Sequence, residues 1–230
     1  MFKPLKIQHP DEKVFFVSDL HYGHDKDFIW KPRGFSNAKD CNEALVQTWN
    51  TRVPDDGIVF HVGDFIIKAE AADFWALVRR LKFKTLYLLW GNHNSGQGQA
   101  YKNTLFRNYP TAIDYDGTLK YEVYPLDFEL DNNPNRRVVF LHQYATVQVN
   151  KQLFVLCHFP IISHERMGHN SIHICGHSHG DLPLTRPDTG LGKRLDVGIE
   201  SFGGPVAASY VIELLSHRDL DVRDHKRENP

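Results

Sequence analysis

The chain reads as an α/β fold built on a largely parallel sheet, and three observations predict it. Short runs rich in apolar, β-branched and aromatic residues, 14–17, 58–62 and 85–90, alternate with segments of helical period. Strand, helix, strand, helix, strand is the pattern of right-handed βαβ crossovers. Each run stops at a polar residue or a glycine, in Ser18-Asp19, Gly63-Asp64 and Gly91-Asn92, at the edge where open α/β sheets carry their chemistry. No Pro/Gly/Ser-rich linker or change of composition divides the 230 residues, so one domain over 1–216 and a polar tail over 217–230 are expected.

The first strand, Val14-Phe15-Phe16-Val17, leads into Ser18-Asp19-Leu20-His21. Alternation along an extended segment turns Asp19 and His21 the same way. After a loop mixing bases and aromatics, Ser36 or Asn37 caps a helix whose apolar face is Ala38, Cys41, Leu45, Thr48 and Trp49. Asp55-Asp56-Gly57 is a turn before the second strand. Ala71, Phe74, Val78 and Leu81 recur at helical spacing and return the chain to the third strand, which ends in Gly91-Asn92-His93-Asn94. A helix is expected near 99–109. Segments rich in Tyr, Val, Phe and Thr, split by the turn residues Asp131 to Asn135, read as a hairpin insertion near 115–149. A strand over Leu153 to Cys157 then ends in His158-Phe159-Pro160, and one over Ser171 to Cys175 ends in Gly176-His177-Ser178-His179. Strands near 193–197 and 208–215 complete the expectation.

Composition narrows the function classes. A net charge of −1 and a sequence pI near 6.9 create no global field for nucleic acid. The three cysteines, Cys41, Cys157 and Cys175, form no C-x-x-C pair, which argues against a disulfide framework and a zinc ribbon and for a reducing, cytoplasmic setting. No apolar run approaches the roughly 18 residues of a membrane span. Histidine is abundant, at fourteen, and the useful ones sit at strand ends beside Gly, Asn and Asp.

Five strands thus end in metal-type ligands: Asp19 and His21; Asp64; Asn92; His158; His177 and His179. In order, Asp19-x-His21, Gly63-Asp64, Gly91-Asn92-His93, His158 and Gly176-His177-x-His179 resemble the motifs of the calcineurin-like metallophosphoesterases, over almost the whole chain. The resemblance implies a four-layer α/β/β/α sandwich of two mixed sheets around two metal ions. Asp19, His21 and His179 would bind the first ion, Asp64 would bridge both, and Asn92, His158 and His177 would bind the second. His93 matches the family's substrate-facing histidine, the catalytic group near the leaving oxygen. Two divalent cations among two carboxylates, one amide and four neutral imidazoles leave about two positive charges, which attract a phosphate ester. An all-nitrogen-and-oxygen ligand set suits Mn, Fe, Ni or Zn, with Mn the expected ion. The expected activity is hydrolysis of small or nucleotide-type phosphomonoesters or diesters, with a metal-bridging hydroxide as nucleophile, by a monomer or homodimer. A nuclease acting on ends or single strands is the competing enzyme reading, and a non-catalytic scaffold the competing class.

Departures and bystanders complete the reading. Gly63-Asp64-Phe65-Ile66-Ile67-Lys68 lacks the second Asp and the Arg of protein phosphatases, so no dedicated phosphoprotein phosphatase is expected. His24, Arg33 and Asn94 are candidates for contacting substrate or bracing the ligands. For Arg33, Lys68 and His164 a solvated surface charge is the default reading. Phe28, Trp30 and Phe35 are read as a stacking platform or a core cap, His61 and His173 as structural, and Cys157 and Cys175 as core. His142 competes with His158, which is preferred because an x-Pro follows it. Asn94 stands where the family usually has an acid, and an amide cannot hold an imidazolium by charge. Substrates with good leaving groups are therefore expected to be favoured. Asn94→Asp should flatten the dependence of kcat on leaving-group pKa across a series of aryl phosphates, and an unchanged slope would contradict the idea.

Overall fold

The computed structural model describes residues 4–67, 71–95, 112–115, 119–125, 136–141, 143–186 and 192–219. The helix expected near 99–109, the turn at 131–135, Lys68, His142 and residues 220–230 lie outside them. The strands are β1 (Leu5–Ile7), β2 (Val14–Val17), β3 (Ile58–Val62), β4 (Thr85–Leu89), β5 (Ala112–Tyr115), β6 (Leu119–Pro125), β7 (Arg137–Phe140), β8 (Tyr144–Val149), β9 (Gln152–Cys157), β10 (Ile172–Cys175), β11 (Arg194–Asp196) and β12 (Val206–Ala207). Among the described residues they form a five-stranded sheet, β1-β8-β9-β10-β11, and a seven-stranded sheet, β12-β2-β3-β4-β7-β6-β5. Both sheets are mixed. β2, β3, β4 and β7 run parallel, as do β9, β10 and β11, so the C-terminal ends within each set lie on one edge.

The continuous apolar run of β2 follows from burial on both faces. Phe15 and Val17 pack with Cys41, Leu45, Val46 and Trp49 of the helix Ala38–Arg52 and with Phe74, Leu77 and Val78 of the helix Ala71–Arg80. Val14 and Phe16 point the other way, to Phe154 and Leu156 of β9 and Ile172 and Ile174 of β10. Period-two alternation therefore divides one strand between a sheet–helix core and a core between the two sheets. The Phe16 ring lies 4.7 Å from that of Phe154 and 5.8 Å from that of Phe60. Of the two cap candidates, Asn37 is the one used: its side chain accepts from Asp40 N at 2.9 Å, satisfying one of the free amides of the helix start.

Two expectations need correction. Residues 208–215 are a helix, Ala208–Leu215, not a strand. Ala208, Val211 and Leu215 are its buried positions, a helical spacing that a short apolar run hides because both periods fit it. The stretch 115–149 is also more than an added hairpin. β5 and β6 pair antiparallel, but β7 pairs with β4, and β8 lies between β1 and β9, so its second half is built into both sheets.

Candidate metal centre

The C-terminal ends of β2, β3, β4, β9 and β10 deliver the seven expected ligands to one place. β2 ends at Val17, and Ser18 makes an isolated bridge to Gly198. Beyond it, Asp19 and His21 have φ of 56° and 49°. Their convergence therefore comes from two left-handed residues and not from strand alternation. Asp64, His177 and His179 also have positive φ, at 57°, 69° and 48°, a conformation L-residues adopt at some cost and which gathers at functional sites.

The two aspartates interlock the loops. Asp19 Oδ2 accepts from His177 N at 3.0 Å, and Asp64 Oδ1 accepts from His93 N at 3.0 Å. Each carboxylate thereby keeps its second oxygen for the centre. Asp19 Oδ1 lies 3.7 Å from His21 Nε2, 3.9 Å from His179 Nε2 and 4.0 Å from His158 Nε2. Asp64 Oδ2 lies 3.7 Å from His21 Nε2 and 3.3 Å from His158 Nε2. Asn92 Oδ1 approaches His158 Nε2 at 2.8 Å and His177 Nδ1 at 2.9 Å.

These spacings fit shared cations. Donor atoms some 2.0–2.2 Å from one ion sit about 3 to 4 Å from each other, whereas most of the carboxylate–imidazole separations exceed a hydrogen bond. Asp19 Oδ1 and both ring nitrogens of His21 are buried with no hydrogen-bond partner among the described residues, a costly state unless something else ligates them. Three groups, Asp19/His21/His179, His21/Asp64/His93 and Asp19/Asp64/His158, each bring one ligand atom per residue within 4.8 Å of the others. His158 Nδ1 donates to Val62 O at 2.8 Å, a link between the sheets that, in the neutral ring, turns the Nε2 lone pair to the centre.

Electrostatics favours ionised carboxylates. Burial pushes the Asp19 pKa up, but the approach of His21 and the charges of His158 and His179 outweigh it and hold the group below the usual carboxylate range. Asp64 is likewise lowered, with burial opposed chiefly by His158. Against its own burial, His158 is raised by Asp64 and Asp19.

The remaining candidates separate cleanly. His93 is exposed at the mouth. His24 is half-buried; its Nδ1 accepts from Lys26 N at 3.2 Å and its ring is 6.0 Å from His21. Phe28 is 66% exposed, while Trp30 and Phe35 pack on the sheet–helix core, which divides the expected platform. Asn94 lies in the helical turn Asn92–Ser95. Arg33 and His164 are buried rather than solvated. Arg33 meets Glu200 and the carbonyls of Asp19 and Leu20, and His164 Nδ1 faces Ser171 Oγ at 3.2 Å.

Sequence reasoning missed Asp196 and Glu200. Asp196 accepts from Ser178 Oγ at 2.7 Å, Gly180 N at 3.1 Å and Gly198 N at 2.7 Å, bracketing the loop of His177 and His179. Asp196 closes the short strand Arg194-Leu195-Asp196 two residues before Gly198; with a charged residue and no apolar run leading into it, the segment carries only the glycine of the pattern that marked Asp64, Asn92 and His177.

No family model matches the chain. Over 82 residues it is 30% identical to an uncharacterized protein of Methanocaldococcus jannaschii, covering 36% of this chain and 47% of that protein, so the chain spans about half the length of this relative. Its fold is similar to the crystal structure of a protein of unknown function from Aquifex aeolicus, with a TM-score of 0.54 and 13% identity over 87% of this chain and 98% of that one. At that identity the likeness concerns the fold alone.

Two outcomes follow from this geometry. A Cβ on Gly91 would meet the Asp64 carboxylate and lie 2.7 Å from its backbone nitrogen, so Gly91→Ala should destabilise the protein by about 1 to 3 kcal/mol in urea unfolding; parental stability would show room that the geometry denies. His61 is fully buried, its ring nitrogens lack partners among the described residues, and burial pushes its pKa down from 6.5 to about 3. Burial likewise lowers His173 to about 4. Between those values and 6.5 the unfolded chain binds protons that the folded chain refuses, so this contribution is complete above 6.5 and lost as pH falls. His61→Leu should make the acid limb of stability of the metal-free protein shallower, by up to about 1.4 kcal/mol per pH unit. An unchanged limb would contradict the buried neutral state.

Proposed function

We propose that the protein is a binuclear metal-dependent hydrolase of phosphate esters. The observation that carries this reading is the convergence of five strand ends on one centre where Asp19 Oδ1 and both ring nitrogens of His21 are buried without hydrogen-bond partners among the described residues. In this reading the two sheets are the inner layers of a four-layer α/β/β/α sandwich. Asp19, His21 and His179 hold the first ion, Asp64 is shared, and Asn92, His158 and His177 hold the second, with manganese the expected metal. When bound, the two ions supply Lewis acidity, acidifying a water and neutralising charge that develops on phosphoryl oxygens.

The chain's own groups do the rest. Asp19 and Asp64 stay ionised and bring the charge of the centre down to about two positive units, enough to attract an anionic ester. The interlocking backbone amides of His93 and His177 hold both carboxylates in place. His93, exposed at the mouth beside His21, with ring centroids 5.1 Å apart, is placed to donate a proton or hydrogen bond to the leaving oxygen. Two exposed rings lie near the centre: Phe159, 39% exposed, is 4.7 Å from His177, and Phe28 is 5.2 Å from His24, itself a neighbour of His21. This rim favours esters with a flat aromatic portion, nucleotides included.

The nuclease reading is weakened by its cations. Arg33, with its side chain 3% exposed, is held by Glu200 and is not left to track a strand, and Lys31 shares its charge with Asp27 at 2.8 Å. The free cysteines Cys41, Cys157 and Cys175 accord with a reducing, cytoplasmic setting. No helix among the described residues is long and apolar enough to cross a membrane.

The test is metal content together with turnover of p-nitrophenyl phosphate and bis-p-nitrophenyl phosphate in Mn, Ni and Zn. Two bound ions and hydrolysis of at least one ester are expected, with Asp64→Asn losing more activity than replacement of any single peripheral histidine. Full loading without turnover of either ester would overturn the reading for simple esters. An Asp64→Asn protein that loses only one ion would contradict the shared role of that carboxylate.

A further inference from the structure

We infer that Glu200, clamped by Arg33, is the positioning residue of the first metal position: it orients His179 and ties that ring to the loop bearing Asp19 and His21. The inference rests on the two-ion reading above and concerns residues that carry none of the expected motifs. Glu200 Oε2 lies 3.1 Å from His179 Nδ1. Its other oxygen, Oε1, accepts from Arg33 Nε at 2.8 Å and lies 2.8 Å from Arg33 Nη2. The same guanidinium donates through Nη2 to Asp19 O at 2.7 Å and through Nη1 to Leu20 O at 3.0 Å. One cation thus joins the carbonyls before His21 to the carboxylate behind His179, across 167 positions of sequence.

The chemistry of the imidazole gives this contact its consequence. An Nδ1–H donated to a carboxylate fixes the tautomer and ring orientation, leaves the Nε2 lone pair for a cation, and makes that nitrogen a stronger ligand. His179 Nε2 then faces Asp19 Oδ1 at 3.9 Å. At the second position, His158 donates its Nδ1 to the carbonyl of Val62 instead. A neutral acceptor orients but adds no charge. The two positions are therefore unequal: a charged brace stands behind His179, and among the described residues a neutral carbonyl stands behind His158.

Burial couples the two partners of the brace. The Arg33 side chain is 3% exposed and that of Glu200 19%, so removing either partner strands the other's charge. Asp196 fixes the opposite flank, taking Ser178 and Gly180 of the His179 loop and Gly198 of the Glu200 segment. Residues 196–200 accordingly hold the first position from behind at both the backbone and the ring.

The experiment is calorimetric titration of the full metal-free chain with Mn²⁺ and with Zn²⁺, paired with nitrogen NMR of the His179 ring at alkaline pH. The parent should show two binding events and an Nδ1–H His179. Glu200→Ala should weaken one event by about 10- to 100-fold while the other changes less than about twofold, and should mix the His179 tautomers. Glu200→Gln, whose amide oxygen still accepts, should recover part of both. If Glu200→Ala does not fold, Arg33→Met/Glu200→Leu removes both charges together and should show the same loss at one position. Two unchanged affinities and an unchanged tautomer in a folded variant, with the parent binding two ions, would overturn the brace alone. A parent that binds no divalent ion would overturn the metal reading and this inference with it.

Discussion

Two hydrogen bonds hold the centre together: the amide of His177 to Asp19 and the amide of His93 to Asp64. Each ties a carboxylate on one loop to the backbone of a loop on another strand. Each also decides which oxygen turns inward. Because the donors are backbone amides, the loops must present N–H groups where an ordinary turn would send them outward. Left-handed backbone at Asp19, His21, Asp64, His177 and His179 accompanies that arrangement, at about 1 to 2 kcal/mol per residue. It also leaves no room for a Cβ at Gly176, where Ser18 and the Asp19 carboxylate stand. Strain on this scale persists only where the surroundings over-determine the conformation, and the strands on either side, buried on both faces, supply that.

Charge bears on what the proposed cations would meet in the centre. Asp19 and Asp64 are buried together and held ionised by imidazoles. The same carboxylates, Asp64 first, raise the pKa of His158 against its own burial. A metal bound as proposed would compete with protons for the imidazole lone pairs, so its binding would weaken as pH falls. The brace behind His179 extends the same logic outward, since a carboxylate that raises a ligand's basicity must itself be neutralised, here by a guanidinium that also grips the first ligand loop.

The parts legible in the sequence were those where local chemistry and position coincide. Val14–Val17 announced a strand buried on both faces, and Gly63-Asp64 and Gly91-Asn92 announced polar groups at strand ends, which the fold brings to one place. Errors fell where a period was ambiguous or a partner distant. Ala208–Leu215 fits both a strand and a helix as a string of residues, and only packing of Ala208, Val211 and Leu215 chose. Arg33 looked like a surface base because Glu200, which buries it, lies 167 positions away.

The sequence by itself determined the candidate ligands, their order and the parallel strands that carry them, since these depend on residue type and on short-range periodicity. Only the tertiary structure decided how the inventory becomes a centre. It showed that Asp19 and His21 converge through left-handed backbone and not through strand alternation. It placed Asn92 against His158 and His177, and it recruited Glu200, Arg33 and Asp196 behind them. The physical reason is that hydrogen bonds and ion pairs form between whatever groups the packing of two sheets brings within about 3 Å, and chain separation says nothing about which those are.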